Sequence, residues 1–174
     1  MKHLFTLLAV LFSLIAGGNL QAQNTIEFLG IPVDGNKSDV LSALEDKGFV
    51  PSYDNQRLGG VLDGYDVWVY AVTNDDGVVR RVVVADVDSY DEVDIKIRYN
   101  EVFRQILDSE EYEVYRGRML TTGDDVVAGM KEDATQYQTS FLPKSGANGV
   151  LWFTIAEHYG TYYIMRFYEN LDNQ

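Results

Sequence analysis

The side chains that most often carry chemistry are scarce in this sequence. It has two histidines and no cysteine in 174 residues. His3 stands at the start, and His158 follows Glu157 in a segment that reads as a hairpin turn. A zinc site takes several His or Cys ligands, more than one histidine supplies. No serine stands in a nucleophile-elbow sequence, so neither a Ser-His-Asp nor a Cys-His site has parts to build on. His158 therefore reads as an exposed turn residue. Gly59-Gly60 and the stretch from Gly30 to Gly35 lack the strand–glycine–helix setting and the Lys-Ser/Thr of a phosphate loop, and read as turns. The expectation is no enzyme, no metal and no cofactor.

Carboxylates are plentiful, 27 Asp and Glu against 14 Lys and Arg. A pair of them is the one hydrolytic chemistry the composition leaves open. The adjacent acids fall where turns and helix starts use them: Asp75-Asp76 in a hairpin, Asp91-Glu92 before a helix, Asp124-Asp125 after a glycine. Asp86, Asp88, Asp91 and Asp94 come nearest to a hard-cation loop. Counted from Asp86, position 5 is Tyr90 and position 6 is Asp91, where an EF-hand needs a metal ligand and a glycine. The motif fails, and the run reads as a solvated helix start.

Aromatic residues offer more. In 161–168, alternation puts Tyr163, Met165 and Phe167 on one face and Tyr162, Ile164, Arg166 and Tyr168 on the other. In 150–157, Leu151, Phe153 and Ile155 oppose Trp152, Thr154 and Ala156. The first set of each strand makes a natural core. The second sets then gather Trp152, Tyr162, Arg166 and Tyr168 into a rim of rings around one guanidinium. Such a rim suits a protein contact, or stacking on a sugar or peptide; the alternative is a second core layer beneath a helix.

These residues need strands and helices to hold them. Residues 25–35 read as an extended lead-in ending in a turn. A helix follows, with Asn36 at its N-cap, Asp39 at N3, a stripe of Val40, Leu41 and Leu44, and a glycine cap at Gly48-Phe49. Segments 57–62, 65–73 and 78–87 read as strands, joined at Asp63-Gly64 and at Asn74-Asp75-Asp76-Gly77. Ser89 and Glu92 form a capping box for a helix over 89–108, whose Ile95, Tyr99, Val102 and Ile106 recur with helical period. Segments 112–120 and 124–130 read as short extended pieces, 135–142 as a strand, and 150–157 with 161–169 as a hairpin. Each half thus holds a capped helix and then a hairpin. Trp68 and Trp152 open the equivalent strands, and Gly77 and Gly160 mark the equivalent turns. The predicted class is α+β: two helix-then-antiparallel-strand units, with the helices packed on a mainly antiparallel sheet.

Residues 1–23 read as a cleavable signal peptide. Lys2 and His3 precede an uncharged run from Leu4 to Ala16, shorter than the ~20 residues a membrane span needs. Small residues follow up to Ala22-Gln23. Lipid attachment there needs a cysteine, and the chain has none. Residues 24–174 form the expected single domain, with tandem units 24–88 and 89–174. Cleavage removes one basic residue and no acidic one, so the exported chain is one unit more negative than the −13 of the full sequence. Such a charge disfavours nucleic acid and anionic lipid and favours cationic peptides, basic protein faces or divalent ions.

The segments Phe28 to Gly35 (FLGIPVDG), Leu44 to Phe49 (LEDKGF) and Val82 to Asp88 with the helix after them resemble those of uncharacterised exported proteins of gut-dwelling Gram-negative bacteria. That resemblance covers most of the chain after the signal peptide and implies no catalytic residue. More distantly, the repeated helix-plus-sheet plan is similar to β-lactamase-inhibitor-type and outer-membrane-assembly accessory domains, which are binding modules. The resulting expectation is a non-catalytic periplasmic or secreted protein-interaction module, with no stable membrane insertion after cleavage. A carrier of a small ligand (glycan, peptide or divalent cation) is the alternative, and a carboxylate-dependent hydrolase the third reading.

Overall fold

The computed structural model describes residues 25–53, 56–133 and 135–174; the signal-peptide reading lies outside them. Two short strands, β1 (Glu27–Phe28) and β2 (Ile31–Pro32), form a hairpin, and helix α1 (Lys37–Asp46) follows. Strands β3 (Val50–Pro51), β4 (Leu58–Leu62), β5 (Tyr65–Thr73) and β6 (Val79–Asp86) come next, then helix α2 (Glu92–Asp108). The chain ends with β7 (Tyr112–Arg116), α3 (Val126–Glu132), β8 (Thr139–Pro143), β9 (Gly149–His158) and β10 (Thr161–Asn170). Strands β3 to β10 make one eight-stranded antiparallel sheet in the order β3-β4-β5-β6-β10-β9-β8-β7. The fold is α+β, with the helices packed on that sheet.

The order reads outward from a seam. Helix α1 and β3 to β6 build one wing, and α2 and β7 to β10 the other. Strands β6 and β10 pair antiparallel between them, with Val83 opposite Phe167. An approximate dyad through that pair relates Tyr70 to Trp152, since each lies beside a member of it. Trp68, two residues from Tyr70, then corresponds to Val150. The two tryptophans share a sheet face but not an equivalent position.

Register decides which side chains are covered. Leu58, Val69, Val84, Arg166, Phe153 and Thr139 stand in one row across six strands. All are buried, and Val69, Val84 and Phe153 belong to one hydrophobic cluster with Val40 and Leu44 of α1 and Ile95, Tyr99 and Val102 of α2. The helices therefore lie on the same face. Phe28 of the N-terminal hairpin joins this layer, its ring 4.8 Å from Tyr168 and 6.4 Å from Phe49.

Helix ends follow local chemistry. Helix α1 finishes as expected: Gly48 takes φ +95°, a left-handed conformation, and Phe49 N–H bonds to the Leu44 carbonyl at 3.2 Å. Helix α2 corrects the reading at its start. Its N-cap is Asp91, whose carboxylate accepts from the Val93 and Asp94 amides at 2.8 and 2.9 Å. Ser89 does not cap it, because Tyr90 is held extended by a two-way backbone bridge to Tyr162. A second correction concerns 124–130, expected to be extended. Asp125 caps Ala128 there, and the backbone turns into α3 with Val126 buried beneath it.

Candidate functional site: the uncovered sheet face

Among the described residues, the opposite sheet face carries no helix. In its central row, Tyr70, Val83, Phe167, Trp152 and Ser140 stand side by side across five strands. The adjacent row brings Gly59, Trp68, Ala85, Met165 and Thr154 together. The large side chains of both rows are half-buried.

Trp152 and Phe167 face each other across the β9–β10 pair and stack with centroids 3.7 Å apart and planes 8° from parallel. The Arg81 guanidinium lies 5.8 Å from the Phe167 ring and pairs with Glu169. Trp152 Nε1 donates to the second carboxylate oxygen of Glu169 at 3.0 Å. Burial alone would raise the pKa of Glu169, but the bonds from Arg81 and Trp152 hold it below the usual carboxylate value. At the other side, a Cβ on Gly59 would meet the Trp68 ring at 3.0 Å, so the indole lies over bare backbone. Arg57 covers Trp68 with its guanidinium 4.2 Å from the centroid and donates to the Tyr70 hydroxyl at 3.4 Å. Ring faces are thus engaged by neighbours within the molecule. What remains is an apolar, edge-rich surface bordered by two arginines, chemistry suited to another protein's side chains more than to a sugar needing an open ring face.

The four-residue rim expected from alternation is not one surface. Trp152 stands here, whereas Tyr162, Arg166 and Tyr168 point under the helices, with Arg166 only 2% exposed. The pairing register causes the split: Arg166 lies opposite Phe153, and Phe167 opposite Trp152. Tyr163, Met165 and Phe167, expected in the core, belong to the uncovered face. One signal could have found this. Tyr159-Gly160 forms a two-residue turn with both φ positive, 50° and 79°, joining His158 to Thr161. Counting back from that turn places Trp152 opposite Phe167. Trp68 and Tyr70, read only as strand residues, complete the surface.

Four of the carboxylates considered for chemistry, Asp86, Asp91, Asp124 and Asp125, have other partners. Asp86 accepts two bonds from buried Arg98 at 2.8 and 3.0 Å, and Asp91 and Asp125 cap helices. Asp124 accepts from Arg118, whose guanidinium is the main reason its carboxyl lies far below the ordinary range. Among the described residues, no group of three or more His, Cys, Asp or Glu is placed to hold a metal ion. None of the described helices is long and apolar enough to cross a membrane.

A concavity opens on the helix side. It is a cleft of about 810 Å³ between the N-terminal hairpin, the β4–β5 turn, the C-terminal end of α2 and the β8–β9 loop. Tyr168 and Tyr112 line it. Burial pushes the Tyr168 hydroxyl up to about 12; Arg166 opposes that shift, and Asp63 and Glu111 add to it. Burial is also the main cause raising Tyr112, reinforced by Tyr168, Glu111 and Glu27. Set against protein-family models, curated proteins and solved structures, the chain matches none.

Proposed function

We propose that the protein is an exported protein-interaction module that binds through the uncovered face of its sheet. The observation that carries this reading is the double row on β4, β5, β6, β10 and β9, in which Trp68, Tyr70, Trp152, Met165 and Phe167 are half-exposed, with no layer of the described residues above them. Large apolar patches of this kind on soluble domains mark contact sites, and aromatic and arginine residues are the usual anchors. The partner is another protein with an apolar patch. A second copy fits poorly, because meeting face to face would oppose the arginines of both copies and join two strongly acidic chains.

Site-specific photocrosslinking tests this. A benzophenone side chain at Tyr163, on the uncovered face, should give one discrete adduct in envelope extracts of the producing cell, lost when Trp152→Ala is added. The same probe at Ile97, 55% exposed on α2, should not give it. Adducts from Ile97 with none from Tyr163 would reject the reading.

A further inference from the structure

We infer that the outer edge of the sheet at β7 docks an extended segment of another protein, added antiparallel, in which basic and apolar residues alternate. Strand β7 ends the strand order, so among the described residues one side of it has no neighbouring strand. The register shows which groups are left over. The Lys144 N–H bonds to the Glu111 carbonyl at 2.9 Å, in line with the register that sets Tyr112 opposite Pro143 and Glu113 opposite Leu142. Bonded and unbonded pairs alternate along an antiparallel ladder. Glu111 and Glu113 therefore turn their main chain toward β8, and Tyr112 and Val114 turn theirs outward. Glu113 to Arg116 are exposed, as are residues 109–111 before them, so solvent reaches this edge. Sheet edges are commonly guarded by proline, lysine or brevity. The far edge is guarded in this way: β3 has two residues, and the second is Pro51. Strand β7 has five, without proline or lysine, and leaves Val114 and Tyr115 40% and 71% exposed.

Charge then selects the occupant. Glu111 and Glu113 alternate with Tyr112 and Val114, so an added strand sets every second residue against a carboxylate and the others against apolar groups. A second copy fits badly. Joining two edges through Tyr112 and Val114 sets Glu113 against the Glu113 or Glu111 of the other copy, unless the strands slide onto the bulge between Val114 and Arg116, where the ladder breaks.

Fluorescence anisotropy and amide hydrogen exchange with the full exported chain test this. The probe is a labelled pentapeptide with blocked ends, Lys-Val-Lys-Val-Lys, whose valines fall opposite Tyr112 and Val114 and whose central lysine falls opposite Glu113. N-methylation of both valines removes the donors that face β7 without changing charge, and should weaken binding about tenfold or more. N-methylation of two lysines alters the other edge of the peptide and should leave affinity within about threefold. A counterpart with glutamate in place of lysine should bind several-fold more weakly. In the saturated complex the Val114 amide should exchange about tenfold or more slowly than in the free protein. Val114→Pro removes an N–H that β8 does not use, so it should weaken binding about tenfold or more while the protein still folds. Equal affinity of the two methylated peptides would overturn the proposal, as would an unprotected Val114 amide, since either means attraction by charge alone. So would no binding of the unmodified peptide, equal binding of its glutamate counterpart, or full affinity in a folded Val114→Pro.

Discussion

Arg98 is 1% exposed beneath the sheet, bonded through two nitrogens to Asp86 and lying with its guanidinium 3.5 Å from the Tyr65 ring centroid. The Tyr65 hydroxyl in turn donates to Glu101 at 2.6 Å. Removing one member of a buried pair strands the other charge in a medium that solvates it badly. Arg98→Ala should therefore lower stability by about 3–5 kcal/mol, whereas the double change Arg98→Met with Asp86→Leu should recover most of that loss, both read from urea unfolding. Part of this was legible. Arg98 falls three residues after Ile95, on the apolar stripe of its helix, and a cation there demands a partner. That the partner is Asp86 was not legible, because a strand-end aspartate followed by further acids looks the same whether it meets solvent or a guanidinium. The tyrosines carry a pH prediction of their own. Seven of them (65, 90, 99, 112, 137, 162 and 168) have pKa values raised on folding, mainly by burial except at Tyr65, where the Glu101 bond leads. The unfolded chain ionises near 10 while Tyr90 and Tyr168 keep their protons to about 12. The unfolded state then binds fewer protons, so stability falls with rising pH. Melting temperature should hold level up to about pH 9 and drop steadily beyond pH 10, in step with tyrosinate absorbance.

Element boundaries show where local signals compete with long-range ones. Ser89 to Glu92 satisfies the capping-box pattern, yet the Tyr90–Tyr162 bridge delays the helix until Asp91. Asp91→Ala should destabilise the protein by about 1 kcal/mol in urea titrations, and Ser89→Ala by much less, the reverse of what the pattern alone implies. The bridge joins residues from distant parts of the chain, which is why a reading of neighbours misses it. Hairpins were legible for the opposite reason. Asp63-Gly64 and Tyr159-Gly160 fix their strands through the turn itself, and β5 spans Tyr65–Thr73, the nine residues that composition marks. The short helix α3 was obscured because its two valines favour strands; Asp125 as a cap and the Tyr137 hydroxyl, which donates to the Asp125 carbonyl at 2.8 Å, overrule them.

At the scale of the whole molecule, two wings share one sheet because β6 and β10 pair, and charged groups bind the wings to each other. Asp63 meets Arg166, Asp86 meets Arg98, Arg81 meets Glu169, and in every pair one residue comes from each wing. The helix-and-hairpin repetition was legible in the sequence. The single sheet was not, since nothing local in 79–86 or 161–170 says that these strands adjoin. That seam also sets an order of assembly. Within each wing, short connections join the strands that pair directly, except β7 and β8, which have α3 between them, so the closure entropy of most pairings is small. The β6–β10 pairing joins segments nearly half the chain apart and raises the contact order of the whole. The wings should therefore form before the seam closes. Val84→Ala, in the seam, should speed unfolding far more than it slows folding in stopped-flow urea experiments. Until that last pairing the inner edges of both wings stand open as unpaired strands, so the nascent chain is at its most prone to join a neighbour in the interval between making its halves and uniting them.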